Sequence, residues 1–225
     1  NTPINIHCIF NPKIVGQLET RFFAKLEVKS GTSNFSYTYS DLVRLGKEQD
    51  SSATDDEAYK LGREQFVLSH SDLIQLFKDD AELRKDTIIV VSNNSGDGAS
   101  GIHNHEDYLT NGGSQLNATR RVLYQMSDMV FSAQPNDRIF FLGQKTSPED
   151  VVEKCGRLKA CVHGCDAHTN TKIFEPDKSR YCWIKADPTF EGLKQIIDEP
   201  DDRVWIGEYS PESKEDYRII DTVSI

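Results

Sequence analysis

The chain has 225 residues, enough to bury one sizeable core, and a layered or barrel-like α/β domain of that length need not divide. Its formal net charge of −10 argues against a free-standing nucleic-acid binder held by phosphate contacts, because that mode needs a basic surface. No charged-then-apolar leader opens the chain and no apolar run approaches the roughly 20 residues that span a bilayer, so the expectation is a soluble, cytoplasmic protein with no membrane partner.

The opening "INIHCIF" alternates Ile4, Ile6, Cys8 and Phe10 with Asn5, His7 and Ile9, which predicts a strand with His7 on the face away from the first set. Asn11 and Pro12 end it. From 13 to 27, Ile14, Val15, Leu18, Phe22, Phe23 and Leu26 fall at roughly helical spacing and predict a helix packing one stripe on a core. Residues 29–56 are rich in Ser, Thr, Gly and Asp around Leu42, Val43 and Leu45, and read as loop with one short helix. Within 64–85 a short strand is expected before a helix capped by Ser69 or Ser71.

"TIIVVSNN" (87–94) is a continuous β-branched run of the kind a buried central parallel strand needs. It leads into a long polar, glycine-rich segment, and such loops inside compact domains tend to be functional. Helical spacing returns over 114–128, and "MVFSA" (129–133) predicts a strand. "SPEDVVEKCG" (147–156) spells a helix start and stop: Ser147 as cap, Pro148 at the first position, acids in the first turn, Gly156 at the end. "KACVHG" predicts a short strand, and the last unit offers a helix from about Pro188 to Asp198 and a strand around Val204. Strand and helix alternate with no visible repeat of about 20 to 50 residues, which favours an α/β fold with mainly parallel strands, open or closed into a barrel.

The densest chemistry lies in "ACVHGCDAHTN" (160–170). Asp166 and His168 follow a predicted strand end, and a carboxylate and an imidazole projecting into one mouth suit a divalent metal that activates water. The alternative is a helix-capping Asp and a surface His. A zinc site of Cys161, His163, Cys165 and His168 lacks the two separated knuckles of structural zinc, so buried thiols are favoured. Five cysteines, an odd number, also fit reduced thiols better than a disulfide framework. "HNHED" (103–107) contains an H-x-H, but in a segment where exposed loop is the default. "SNNSGDG" (92–98) has the residues of an anion-binding nest and is not a Walker loop; "FLGQKTS" lacks the first glycine and the Gly-Lys order. His7 is either a hydrogen-bonded core histidine or a ligand.

"HGCDAHTN" resembles the G-S-D-A-H motif of PHP (polymerase and histidinol phosphatase) domains. "RYCWIKADPTFEGLKQIIDEPDDRV" with "VVSNNSGDGASGI" is similar to the TrlF family of PHP domains fused to AAA-like ATPases. The resemblance runs from Ile4 to Gly207 and implies the C-terminal part of a distorted (β/α)7 PHP barrel, with divalent metal (Mn, Zn, Mg or Fe) at its mouth and phosphoester hydrolysis as its activity. By motif, Asp166 and His168 fall on the last metal-binding motif and His7 on another ligand. Ser92, Asn93 and Asp97 fall on a strand end where ordinary PHP enzymes hold a metal-binding histidine, absent here; Asn93 and Asp97 are implied to orient water or phosphate. Cys165 stands where the family commonly has serine.

The first PHP motif is missing, the chain opens on Asn1, and "YRIIDTVSI" looks like the first strand of the ATPase. The expected organisation is therefore a PHP-like phosphoesterase domain over 1–207, then a linker and the start of a truncated AAA-like ATPase over 208–225. ATP and homo-oligomer formation would enter only through that ATPase, and nucleic acid is the partner expected of the full-length protein. The implied function is a metal-dependent phosphoesterase, a nuclease, in an ATPase-coupled DNA repair or phage-defence protein. The rival is a catalytically degenerate PHP module that binds or positions nucleic acid for the ATPase, as the altered strand end and the acidic surface would suit. A structural zinc domain on Cys161 and Cys165 is the third reading, and it predicts that chelators unfold the protein.

Overall fold

In the computed structural model, which describes residues 4–93 and 115–211, the opening alternation forms strand β1 (Ile6–Phe10). The apolar stripe that follows is not one helix. A 3-10 segment (Pro12–Gln17), a single turn α1 (Leu18–Arg21) and a second 3-10 segment (Phe23–Lys25) share it. Pro12 and the Asn11 side chain, which accepts from Lys13 N, start the first piece, and Gly16 weakens propagation. Ile14, Phe22 and Leu26 are still buried, so the stripe reaches the core without a continuous helix.

The segment read as loop with one short helix is more ordered than its composition suggests. It forms an antiparallel hairpin of β2 (Glu27–Ser30) and β3 (Ser33–Ser36), then α2 (Tyr39–Gln49) and α3 (Asp55–Gln65). Thr54 and Glu57 close a capping box on α3, so the Ser, Thr and Asp content marks helix starts as well as turns. The strand expected near Phe66 is absent; residues 66–69 are irregular and lead into α4 (His70–Asp79), capped by Ser69, and α5 (Ala81–Lys85). Helices α2 and α3 carry two similar stretches, "DLVRLGKEQ" (41–49) and "EAYKLGREQ" (57–65), which share Leu, Gly, Glu and Gln at equivalent positions. Their packing is reciprocal: a Cβ on Gly46 would lie 1.8 Å from the Ala58 carbonyl oxygen, and one on Gly62 would lie 1.9 Å from that of Leu42. Only glycine permits this approach, and Gln65 Nε2 donates to the equivalent Gln49 Oε1 at 2.7 Å.

The β-branched run becomes β4 (Thr87–Ser92), buried at every residue, which is why it shows no alternation. After it come α6 (Gln115–Met126), β5 (Met129–Phe131), α7 (Pro135–Phe141), α8 (Pro148–Cys155) and β6 (Cys161–Val162). Ser147 caps α8 through the Asp150 N–H and Gly156 ends it in the left-handed conformation, as the sequence spells. The four strands line up as β1-β4-β5-β6, with β1 antiparallel to β4 and the other pairs parallel. The chain is thus α/β with a parallel-rich sheet, and among the described residues that sheet is not closed. His7 therefore lies on an edge strand of the described sheet, not a central one.

Both faces of the sheet are covered. Ile89, Val91, Val130 and Cys161 point to one side, where Leu123, Tyr124, Phe140, Phe141 and Val151 complete the core around the last three. Ile88, Val90, Met129 and Val162 point to the other, against Ile196 and Ile197 of α9 (Phe190–Asp198). Each fully buried Val or Ile contributes about 1.5–3 kcal/mol. The chain then forms α10 (Pro200–Arg203) and a two-stranded antiparallel ribbon, β7 (Tyr181–Ile184) with β8 (Val204–Gly207). Among the described residues no helix is long and apolar enough to cross a membrane.

Candidate functional site

Parallel pairing brings the C-terminal ends of β4, β5 and β6 to one edge, and Ser92, Phe131 and Val162 stand level there. Backbone bonds continue the ladder one step further, from Asn93 N to the Phe131 carbonyl and from Ser132 N to the Val162 carbonyl. Beneath that edge lies a buried polar network. Asn93 Nδ2 donates to Asp137 Oδ2 at 2.8 Å, Ser132 Oγ donates to the same oxygen at 2.6 Å, and the Tyr124 hydroxyl donates to Asn93 Oδ1 at 2.5 Å. Asp137 lies in the first turn of α7, where the helix dipole favours a carboxylate. Burial first, then nearby Cys155 and Asp137, raise the Tyr124 phenol well above its ordinary range, so it remains a donor. Asn93 itself is 5% exposed.

The three expected metal ligands are placed as follows. His7 stands opposite Val90 on the face shared with Phe131 and Val162, and its ring meets Phe131 edge-on at 4.7 Å between centroids. Partial desolvation lowers its pKa, which favours the neutral imidazole that ligates metals. Asp166 and His168 lie on the connection after β6, with Oδ1 and Nε2 3.7 Å apart and both side chains largely in solvent. Asp166 has φ of 50°, a left-handed conformation that Asp adopts more readily than most residues and that is enriched at functional sites. The structure brings Asp166 and His168 together; it does not join His7 to them. Among the described residues no group of three or more His, Cys, Asp or Glu side chains is arranged to share a metal ion. Asp97 and the "HNHED" segment lie outside the described residues.

The cysteines do not form a ligand set among the described residues. All five are free, and Cys161 is a core residue whose thiol is pushed up by burial. Burial likewise pushes Cys155 up to about 11 and Cys8 up to about 12. Cys165 is half-buried, and His163 Nδ1 lies 2.9 Å from the Gly164 carbonyl oxygen. A cleft of about 870 Å³ between α1, the β2–β3 hairpin and α4 is lined by Arg21, Lys25 and Asp80 and holds none of the expected site residues.

Two features of the structure escape the sequence reading. The sequence singles out neither Tyr124 nor Asp137, which lie 31 and 44 residues from Asn93, so nothing local signals that they meet it. The second is the aromatic ribbon of β7 and β8, whose outward rings become visible only once the strands are paired. No family model matches the chain, and no curated protein or solved structure matches it.

Proposed function

We propose that the chain is the metal-binding part of a PHP-type phosphoesterase, a nuclease coupled to an ATPase, in which Asp166 and His168 hold a divalent ion and His7, apart from them, is a further metal ligand. The observation that carries the reading is the carboxylate–imidazole pair at 3.7 Å on the connection leaving β6, at the edge where α/β enzymes place their chemistry. The donor types fit Mn, Zn, Mg or Fe, since both hard oxygen and imidazole nitrogen are present. When bound, such an ion supplies a hydroxide from water and neutralises charge on the phosphoryl oxygens.

The residues contribute as follows. The exposed Asp166 and His168 present their donors to solvent, and His7 offers a neutral ring on the sheet face that carries Phe131. Asn93 acts as a positioning residue, tying the end of β4 to α6 and α7 through Tyr124 and Asp137. In this reading the described strands are part of a (β/α)7 wall, and Asp97 orients water or phosphate.

The test measures metal content and phosphodiesterase activity together on the full-length protein, wild type against Asp166→Ala, His168→Ala and His7→Ala. Metal occupancy should fall at least about tenfold in each variant, with hydrolysis lost and circular dichroism unchanged. Unchanged metal content, or a wild type that hydrolyses nothing with Mn, Mg, Zn or Fe supplied, overturns the reading. A second reading, a non-catalytic module that positions nucleic acid, is favoured by the absence of a three-donor group among the described residues. A wild type that binds oligonucleotides without cleaving them would select it.

A further inference from the structure

Antiparallel pairing of β7 and β8 sets Trp183 directly opposite Trp205, and Tyr181 opposite Gly207. Alternation then turns Cys182 and Ile206 toward the core and leaves Tyr181, Trp183 and Trp205 outward, at 37%, 37% and 43% exposure. Three large aromatic rings on the open face of a ribbon form a patch that a soluble surface ordinarily avoids. They are also held. Trp183 Nε1 donates to the Gly207 carbonyl at 3.0 Å, and a Cβ on Gly207 would meet Trp205 Nε1 at 2.8 Å, so a bare glycine seats both indoles. The Arg138 guanidinium stands 5.0 Å from the Trp205 ring centroid and is itself fixed by Asp201 and the Val204 carbonyl. Rings that are already ordered lose little freedom on binding.

Charge selects the occupant. Between Asn170 and Lys185 the chain carries Lys172, Lys178, Arg180 and Lys185 against Glu175 and Asp177, a local excess of cations in a protein of net charge −10. Lys172, Lys178 and Lys185 are exposed and have no ion-pair partner among the described residues. This segment is the one that leaves Asp166 and His168 and enters β7. An acidic peptide would satisfy the lysines and leave the rings unused, and a duplex keeps its base faces inside its own stack. A single strand uses both, with bases on the rings and phosphates on the cations.

We propose that the β7–β8 ribbon is a stacking platform for single-stranded nucleic acid, which it leads toward Asp166 and His168. That the bound strand is also the substrate rests on the phosphoesterase reading; that it binds does not.

The experiment is fluorescence anisotropy of labelled oligothymidylate, oligouridylate and a duplex of equal length with the full-length protein. Wild type should bind one or both single strands more tightly than the duplex. Trp183→Ala and Trp205→Ala should each weaken single-strand binding roughly tenfold, and Trp183→Phe, which keeps a ring, should restore most of it. Replacing Lys172, Lys178 and Lys185 together by Gln, a surface change that leaves the fold intact, should flatten the log-affinity against log-salt slope by about 0.7 for each phosphate that is no longer neutralised. Equal or tighter duplex binding, alanine variants that bind like wild type, or a salt slope unmoved by the glutamines would overturn the platform. So would a wild-type dimer that Trp205→Ala converts to monomer without loss of strand binding, since the ribbon would then be a contact between copies. A wild type that binds by its tryptophans but hydrolyses no phosphodiester sustains the platform and removes only the phosphoesterase.

Discussion

Where β4, β5 and β6 begin, Arg84 Nη2 reaches Asp128 Oδ1 at 2.8 Å, Asp128 Oδ2 accepts the Ile89 N–H at 2.8 Å, and Lys159 Nζ donates to the Ser127 carbonyl at 2.6 Å. Where the same strands finish, Asp166 and His168 stand in solvent, and the ribbon that the chain enters from that connection presents three rings outward. The contrast follows from the cost of burying charge. A buried ion is tolerated only with partners, so at the starting end the charges are committed to holding the sheet. At the finishing end the buried polar groups carry their own network, and Asp166 and His168 lie largely in solvent.

The sharpest way to break this contrast is to remove a charge at each end. Asp128→Ala leaves the buried Ile89 N–H without its acceptor and takes the carboxylate from Arg84, which keeps only the Thr87 and Met126 carbonyls, and should cost about 3 kcal/mol in urea denaturation. Asp166→Ala should change stability by no more than about 0.5 kcal/mol. Equal losses would mean that the two ends do not differ in kind.

Lys159 sharpens the comparison through pH. Burial lowers its pKa from 10.5 to about 8. Between those values the unfolded chain holds the proton and the folded one does not, so stability rises with pH across that window, by roughly 3 kcal/mol in total. The buried thiols act in the opposite sense: burial holds Cys155 and Cys8 protonated in the fold while unfolded thiols ionise above 9.0, so their contribution falls as pH rises from there. The difference in stability between wild type and Lys159→Met isolates the lysine and should grow across the window; a flat difference would place Lys159 in contact with water.

Within the network at the finishing end, Tyr124→Phe leaves Asn93 Oδ1 without that donor and should cost about 1–2 kcal/mol by thermal unfolding, with metal content unchanged. The smallest effect expected is that of a chelator. Cys161 belongs to the apolar core and no thiol group gathers around a metal among the described residues, so EDTA should leave a cooperatively folding protein. Loss of the folded baseline would revive the structural zinc reading.

The parts of the fold legible in the sequence are those whose cause is local or total. Ser147, Pro148 and Gly156 mark α8 because capping is settled within one turn, and β4 is legible because burial on both faces leaves an uninterrupted β-branched run. The region from Lys29 to Gln65 is not legible by composition, because Ser, Thr and Asp serve loops and helix caps alike; the near-repeat of α2 and α3 is present in the sequence there, at a spacing too short to mark a repeat architecture. For the site, Asp166 and His168 are two residues apart, so their meeting is a local matter. Their relation to His7, the joining of Asn93 with Tyr124 and Asp137, and the outward face shared by Trp183 and Trp205 each depend on strands and helices far apart in the chain. Sequence by itself determined the α/β alternation, the buried strand and the adjacent carboxylate and imidazole. Which distant side chains face one another was decided only by strand order and register, because a one-residue shift in pairing turns every side chain to the opposite face.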